Sequence, residues 1–139
     1  LTHANAWVII FDISLVDIVW EMKIEGISTL LELHQQVIDQ EDGYWVKIDA
    51  WQVAPTEAIP HGIRYSLTLH NPAGERILGY DNAHAYRQIR SYGGRKFPYD
   101  HKHRHSKDLG TIYVFKDAYQ LLSDFFNDVD KALRMDKAK

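Results

Sequence analysis

Three imidazoles at alternate positions stand among cations in Asp100-His101-Lys102-His103-Arg104-His105. On an extended chain His101, His103 and His105 project from one side, about 6.5 Å apart, and Lys102 and Arg104 from the other. An unperturbed imidazole titrates at about 6.5, so neutral and protonated rings coexist near neutrality. One ring can then take a proton from a ribose 2′-hydroxyl while another returns a proton to the departing 5′-oxygen. Arginine or lysine offsets the charge that builds on phosphorus. Two other readings of the same residues stay open. Neutral imidazoles joined by Asp81 or Asp100 would make a metal site, although the neighbouring cations oppose a further one. A solvated polar loop would leave all three histidines binding nothing.

The surrounding residues reinforce the first reading. Residues 84–107 hold seven Lys and Arg against one acid, Asp100, and four of the eight histidines. The whole chain carries a net charge of −3, so with +6 in this segment the remainder carries −9. An anionic partner would therefore meet a local patch, not a uniformly basic coat. Tyr86, Tyr92 and Tyr99 lie within it, suited either to stacking on unpaired bases or to pinning the segment down. Gly93-Gly94 fits a hinge or an anion nest. Asp81 is placed to orient a histidine and Arg64 to clamp phosphate. The blander roles for these two are an Asx turn and a surface cation. Tyr80, Asn82, Arg90, Arg95, Lys102, Arg104 and His105 complete the expected substrate-binding set.

With 139 residues, 45% hydrophobic and 25% charged, the chain is a single globular domain able to bury a core unaided. It has no cysteine. That excludes a thiol nucleophile, a disulfide framework and Cys-ligated zinc, and suits a reducing compartment. Residues 6–20 are apolar but contain Asp12 and Asp17, and they are too short and too charged to span a membrane. They also lack the basic start and cleavage site of a signal peptide. Residues 1–21 read either as an extra strand or as sequence upstream of a start at Met22, with one domain over 22–139.

The elements that must position the histidines follow from periodicity. Leu31, Leu33 and Val37 alternate with Glu32, His34 and Gln36, which predicts a strand ending at the Asp42-Gly43 turn. Residues 44–54 predict a second strand, with Val46, Ile48 and Ala50 on one face and Trp45, Lys47, Asp49 and Trp51 on a mixed face that something covers. Ile63, Tyr65, Leu67 and Leu69 predict a third. Asn71-Pro72-Ala73-Gly74 turns the chain into a fourth over residues 75–80. Residues 111–115 add a last short strand. Asp117 with Gln120 forms a capping-box pattern, ahead of a stripe of Ala118, Leu121, Leu122, Phe125, Val129, Ala132 and Leu133. The expected fold class is α+β: a four- to five-stranded, mainly antiparallel meander packed against one long C-terminal helix.

Leu30-Leu31-Glu32-Leu33-His34, Ile63-Arg64-Tyr65-Ser66-Leu67, the run from Gly74 through Gly79-Tyr80-Asp81-Asn82, His101-Lys102-His103 and Leu121-Leu122-Ser123-Asp124-Phe125 together resemble the TumE-type toxins of prokaryotic toxin–antitoxin pairs. The resemblance covers residues 22–133. It implies a small cytoplasmic toxin, encoded beside a helix-turn-helix antitoxin and acting on RNA; separately, no membrane partner and no cofactor are expected. The link over residues 83–100 is longer than the family pattern suggests, so Arg90 and Arg95 take no support from it. Three functions follow as expectations: a metal-independent endoribonuclease using His101 and His103, a non-enzymatic RNA- or DNA-binding module, or a metal-dependent nuclease.

Overall fold

The computed structural model describes residues 15–82, 100–105, 108 and 110–139. In chain order these form α1 (Leu15–Glu32), β1 (Gln36–Asp39), a 3-10 turn (Glu41–Gly43), β2 (Trp45–Gln52), β3 (Ile63–His70), β4 (Arg76–Asp81), β5 (His101–His103), β6 (Thr111–Ile112) and α2 (Ala118–Lys137). The strands make one six-stranded sheet in sequence order, each antiparallel to the last. This is the expected α+β meander with its C-terminal helix.

Alternation along β2 and β3 sets the two faces. Val46, Ile48, Ala50, Tyr65, Leu67 and Leu69 are buried and share a core with Leu121, Phe125 and Val129 of α2 and Leu30 of α1. Their neighbours Trp45, Lys47, Asp49, Trp51, Arg64, Ser66, Thr68 and His70 line the outer face. There Trp45 stacks on His70, with centroids 3.9 Å apart and planes within 7°. Trp51 keeps 40% of its surface exposed.

The expected strand through Leu31 and Leu33 is instead the end of α1, which is continuous through Glu21 and Met22. Ile27, Leu30 and Leu33, three apart, all reach the core, and that helical spacing wins over the period-two pattern of Leu31 and Leu33. The strand begins only at Gln36, after Gln35 takes a left-handed φ of 65°. His34, expected on a strand surface, accepts the Ala50 N–H at Nδ1 (3.0 Å).

The polar signals at element ends act locally. Asn71 Oδ1 accepts the Glu75 N–H at 2.9 Å, and Gly74 completes that turn at φ 84°. Asp117 caps α2 by accepting the Gln120 N–H at 2.8 Å. The return half of the expected capping box is absent: Gln120 Nε2 donates to Asp124 at 2.7 Å instead.

Aspartates on α2 then tie helix to sheet. The hydroxyls of Tyr44, Tyr80 and Tyr113 donate to Asp136 (2.5 Å), Asp128 (2.5 Å) and Asp124 (2.7 Å). Asp124 and Asp128 sit beside the apolar stripe, close enough for tyrosines at the rim of the core to reach them. Burial pushes the Tyr80 and Tyr113 hydroxyls well above their ordinary range, and the facing carboxylates add to it, so both remain donors.

The two helices touch where α1 has no side chain. A Cβ on Gly26 would lie 2.8 Å from the Tyr119 backbone nitrogen and 3.0 Å from its Cβ. Gly26→Ala should therefore lower the urea midpoint. The gain in helix propensity, about 1 kcal/mol, is outweighed by a forced helix separation of about 1–3 kcal/mol. An unchanged or higher midpoint would show that the crossing yields freely.

Candidate functional site

Pairing of β4 with β5 brings the chemistry-bearing residues together. Gly79, Tyr80 and Asp81 stand opposite His103, Lys102 and His101. Tyr80 and Lys102 point toward α2, where Lys102 Nζ lies 3.6 Å from Asp128. His101, His103 and Asp81 therefore project from the outer face.

His103 is held at both ring nitrogens. Nε2 lies 3.0 Å from Asp81 Oδ2, and Nδ1 lies 2.9 Å from the Asp108 carbonyl. Both partners accept, so both nitrogens donate, which is the arrangement of an imidazolium. The Asp81 bond accordingly holds the ring's pKa above its ordinary value; burial and the Arg76 charge oppose this, and the Asp108 carbonyl assists it.

Asp108 belongs to the turn that builds the clamp. Its carboxylate accepts the Arg104 N–H at 2.8 Å and the Gly110 N–H at 2.9 Å, and these two bonds lower its pKa. Gly110 has φ 97°, and a Cβ there would lie 2.7 Å from His103 Cε1. Only glycine meets both conditions. Asp108 and Gly110 were missed in the sequence, where the Asp-x-Gly pattern after the histidines was the available turn signal.

Other expected site residues divide between the two faces. His101 is 1% exposed, with its ring centroid 6.4 Å from that of His103. Arg64 shares the outer face, two residues along β3 from Ser66, the register partner of Asp81. Tyr80 and Asn82 are core residues, 1% and 0% exposed. Asn82 accepts the Tyr65 N–H (2.9 Å) and donates to the Ile63 carbonyl (2.7 Å), stitching the end of β4 to β3. Arg104 and His105 are exposed after β5. A groove of about 460 Å³ between β4, β5 and α2 is bordered by Lys102, Arg104, Lys131 and Lys139, with Asp128 and Asp136 among them. Arg90, Arg95, Tyr86, Tyr92, Tyr99 and Gly93-Gly94 lie outside the described residues.

A second polar cluster lies toward the helices. Asp100 accepts from Tyr65 Oη at 2.7 Å and from His61 Nε2 at 3.2 Å, while His61 Nδ1 accepts the Ile63 N–H at 3.2 Å. Phe115 stacks on His61 with centroids 3.8 Å apart. The sequence offered no pattern linking His61 to Asp100, because the contact is made only by the fold. Among the described residues no group of three or more His, Asp or Glu side chains is arranged to hold a metal ion. Among the same residues no helix is long and apolar enough to cross a membrane.

The fold and site define a small α+β protein with its helices on one side of a sheet and a carboxylate-held imidazole on the other. Residues 22–133 match the family described as Toxin TumE, and the chain belongs to that family. It is a toxin of a toxin–antitoxin system, with an antitoxin as its partner. No curated protein and no solved structure matches it.

Because the folded protein holds the His103 proton more tightly than the unfolded chain does, this group adds stability that is fully present below about pH 6.5. That stability is lost as pH rises through the higher folded value. Denaturant midpoints of the wild type should thus fall as pH climbs above the ordinary imidazole range, and His103→Gln should flatten the decline. An NMR titration of Asp81→Asn should find the ring's pKa lowered; an unmoved value would contradict the assigned clamp.

Proposed function

We propose that this toxin is a metal-independent endoribonuclease, acting in the cytoplasm and neutralised by a helix-turn-helix antitoxin. The reading is carried by one observation: His103 sits with Asp81 at one ring nitrogen and a carbonyl at the other, an environment that favours the imidazolium. An imidazolium beside a sheet face bearing arginines is equipped to protonate a leaving alkoxide.

In the proposed reaction a ribose 2′-oxygen attacks the adjacent phosphorus as its proton passes to His101. The bond from phosphorus to the 5′-oxygen breaks as His103 exchanges its Nδ1–H bond to the Asp108 carbonyl for one to this oxygen and supplies the proton that makes it a hydroxyl, while Asp81 keeps its hold on Nε2. The products are a 2′,3′-cyclic phosphate and a free 5′-hydroxyl, so atoms and charge balance without an external reactant. Asp81 orients His103 and favours its cationic form. Arg64 and the exposed Arg104 supply positive charge to the approaching backbone, with the exposed His105 beside them to hydrogen-bond it, and Lys102 adds charge from the groove behind.

Incubated with total RNA in EDTA, wild-type protein should cleave, and His103→Ala should slow cleavage by about 10²–10⁴-fold, the usual worth of a positioned acid or base. Equal cleavage by wild type and the His101→Ala/His103→Ala double variant would eliminate the catalytic assignment. Because a raised His103 pKa sets the alkaline limb of the pH–rate profile, Asp81→Asn should move that limb to lower pH.

One observation favours a second reading. The His101 ring is 1% exposed, which suits a structural histidine better than a proton acceptor for a bulky substrate. On this reading the protein binds nucleic acid without cutting it. Binding would then weaken steeply with salt, and no cleavage products would accumulate.

A further inference from the structure

We propose that Arg76, laid across Gly79 beside His103, anchors a phosphate-binding site on the outer face of the sheet. Arg76 opens β4 opposite His70, at the register shift between Leu69 and His70. Its side chain then runs along the strand over Gly79. A Cβ at Gly79 would meet Arg76 Cδ at 3.3 Å and Nε and Nη1 at 3.6 Å each, so the missing side chain is the bed in which the guanidinium lies. Gly79 is the register partner of His103, which brings the two cationic groups together.

Three features of this arrangement suit an anion. Among the described residues Arg76 Nε is buried with no hydrogen-bond partner, and Nη2 reaches the His105 carbonyl only at 3.5 Å, the limit of a hydrogen bond. An N–H buried without an acceptor is costly, and more so when it belongs to a charged group. A bound oxygen removes that cost. The second feature is charge: Arg76 and the His103 imidazolium repel each other, and the Arg76 charge works against the His103 proton. With Asp81 on His103, and the Asp108 carboxylate taken up by two backbone N–H groups, an anion set between the two cations relieves the repulsion. The third is shape. The planar guanidinium presents Nε–H and an Nη–H as a pair of parallel donors, the geometry that grips two oxygens of one phosphate.

This inference deepens the ribonuclease reading by naming the group that would hold the scissile phosphate, and its natural ligand rests on that reading. Phosphate binding itself does not require turnover. If RNA is left intact while phosphate still binds, the ribonuclease reading fails and the anion site stands.

The test follows the Arg76 Nε–H and His103 ring signals of the full-length, isotope-labelled protein by NMR during titration with inorganic phosphate and, separately, with adenosine 3′-monophosphate. Wild type should show saturable shifts of both signals with at least one of the two ligands. Arg76→Ala should weaken binding tenfold or more. Arg76→Lys, which keeps the charge and loses the paired donors, should weaken it about three- to tenfold. Gly79→Ala keeps the arginine but displaces it from its bed, and should weaken binding with Arg76 still present, which separates a lost ligand contact from a misfolded variant. Tighter binding of the nucleotide supports a nucleic-acid ligand at this site, and equal affinity supports the same site as one for free phosphate. Absence of saturable shifts with both ligands, or equal affinity of wild type and Arg76→Ala, overturns the proposal.

Discussion

Everything functional in this molecule hangs on the register that three residues of β5 take against β4. Because side chains alternate along a strand, a slip of one residue would turn His101 and His103 toward α2 and put Lys102 on the outer face. Asp81 would lose its imidazole and Asp128 its lysine. Three residues contribute few ladder bonds, so side chains must supply much of the specificity. Lys102 reaches Asp128 on one side, His103 reaches Asp81 on the other, and Asp100 fixes the strand's start through Tyr65 and His61.

The same logic explains why the acids and the cations are sorted as they are. Tyr44, Tyr80 and Tyr113 stand at the rim of a sheet whose core is otherwise apolar, and each hydroxyl must be satisfied where water is scarce. Asp136, Asp128 and Asp124 answer them from one side of α2, the last two a turn apart and Asp136 two turns further on. A helix that looks like a generic amphipathic cover thereby becomes an oriented one. Sliding it along its axis would break all three bonds together. The α2 aspartates thus serve the tyrosines of the core, while the arginines and histidines of the outer face have Asp49 and Asp81 among them.

What was legible in the sequence was whatever is repeated. The alternation in β2 and β3, the Asn71 to Gly74 turn, the Asp117 cap and the α2 stripe each rest on several residues that agree, and each appears. α1 was misread because Leu30-Leu31-Glu32-Leu33 satisfies both periods, and only contact with the core decides between them. Within the candidate site, the pairing of Asp81 with a histidine was expected from residue type alone, and the fold places Asp81 on His103. Tyr80 and Asn82 sat in the same run and turned out to serve the core. Spacing within one strand tells which residues share a face, but not which face is covered. Arg76 and His61 had no local signature because His103 and Asp100, the groups they meet, lie elsewhere in the chain, whereas Asp108 had only the Asp-x-Gly turn pattern, which does not announce its contact with His103.

Asn82 and Asp100 are both buried, and each is fastened to β3 or its entrance by two side-chain contacts. In the chain they stand immediately before and after residues 83–99. The end of β4 and the start of β5 are thus each tied directly to β3 or its entrance. The imidazoles therefore stay where β4 puts them through contacts that residues on either side of that stretch supply.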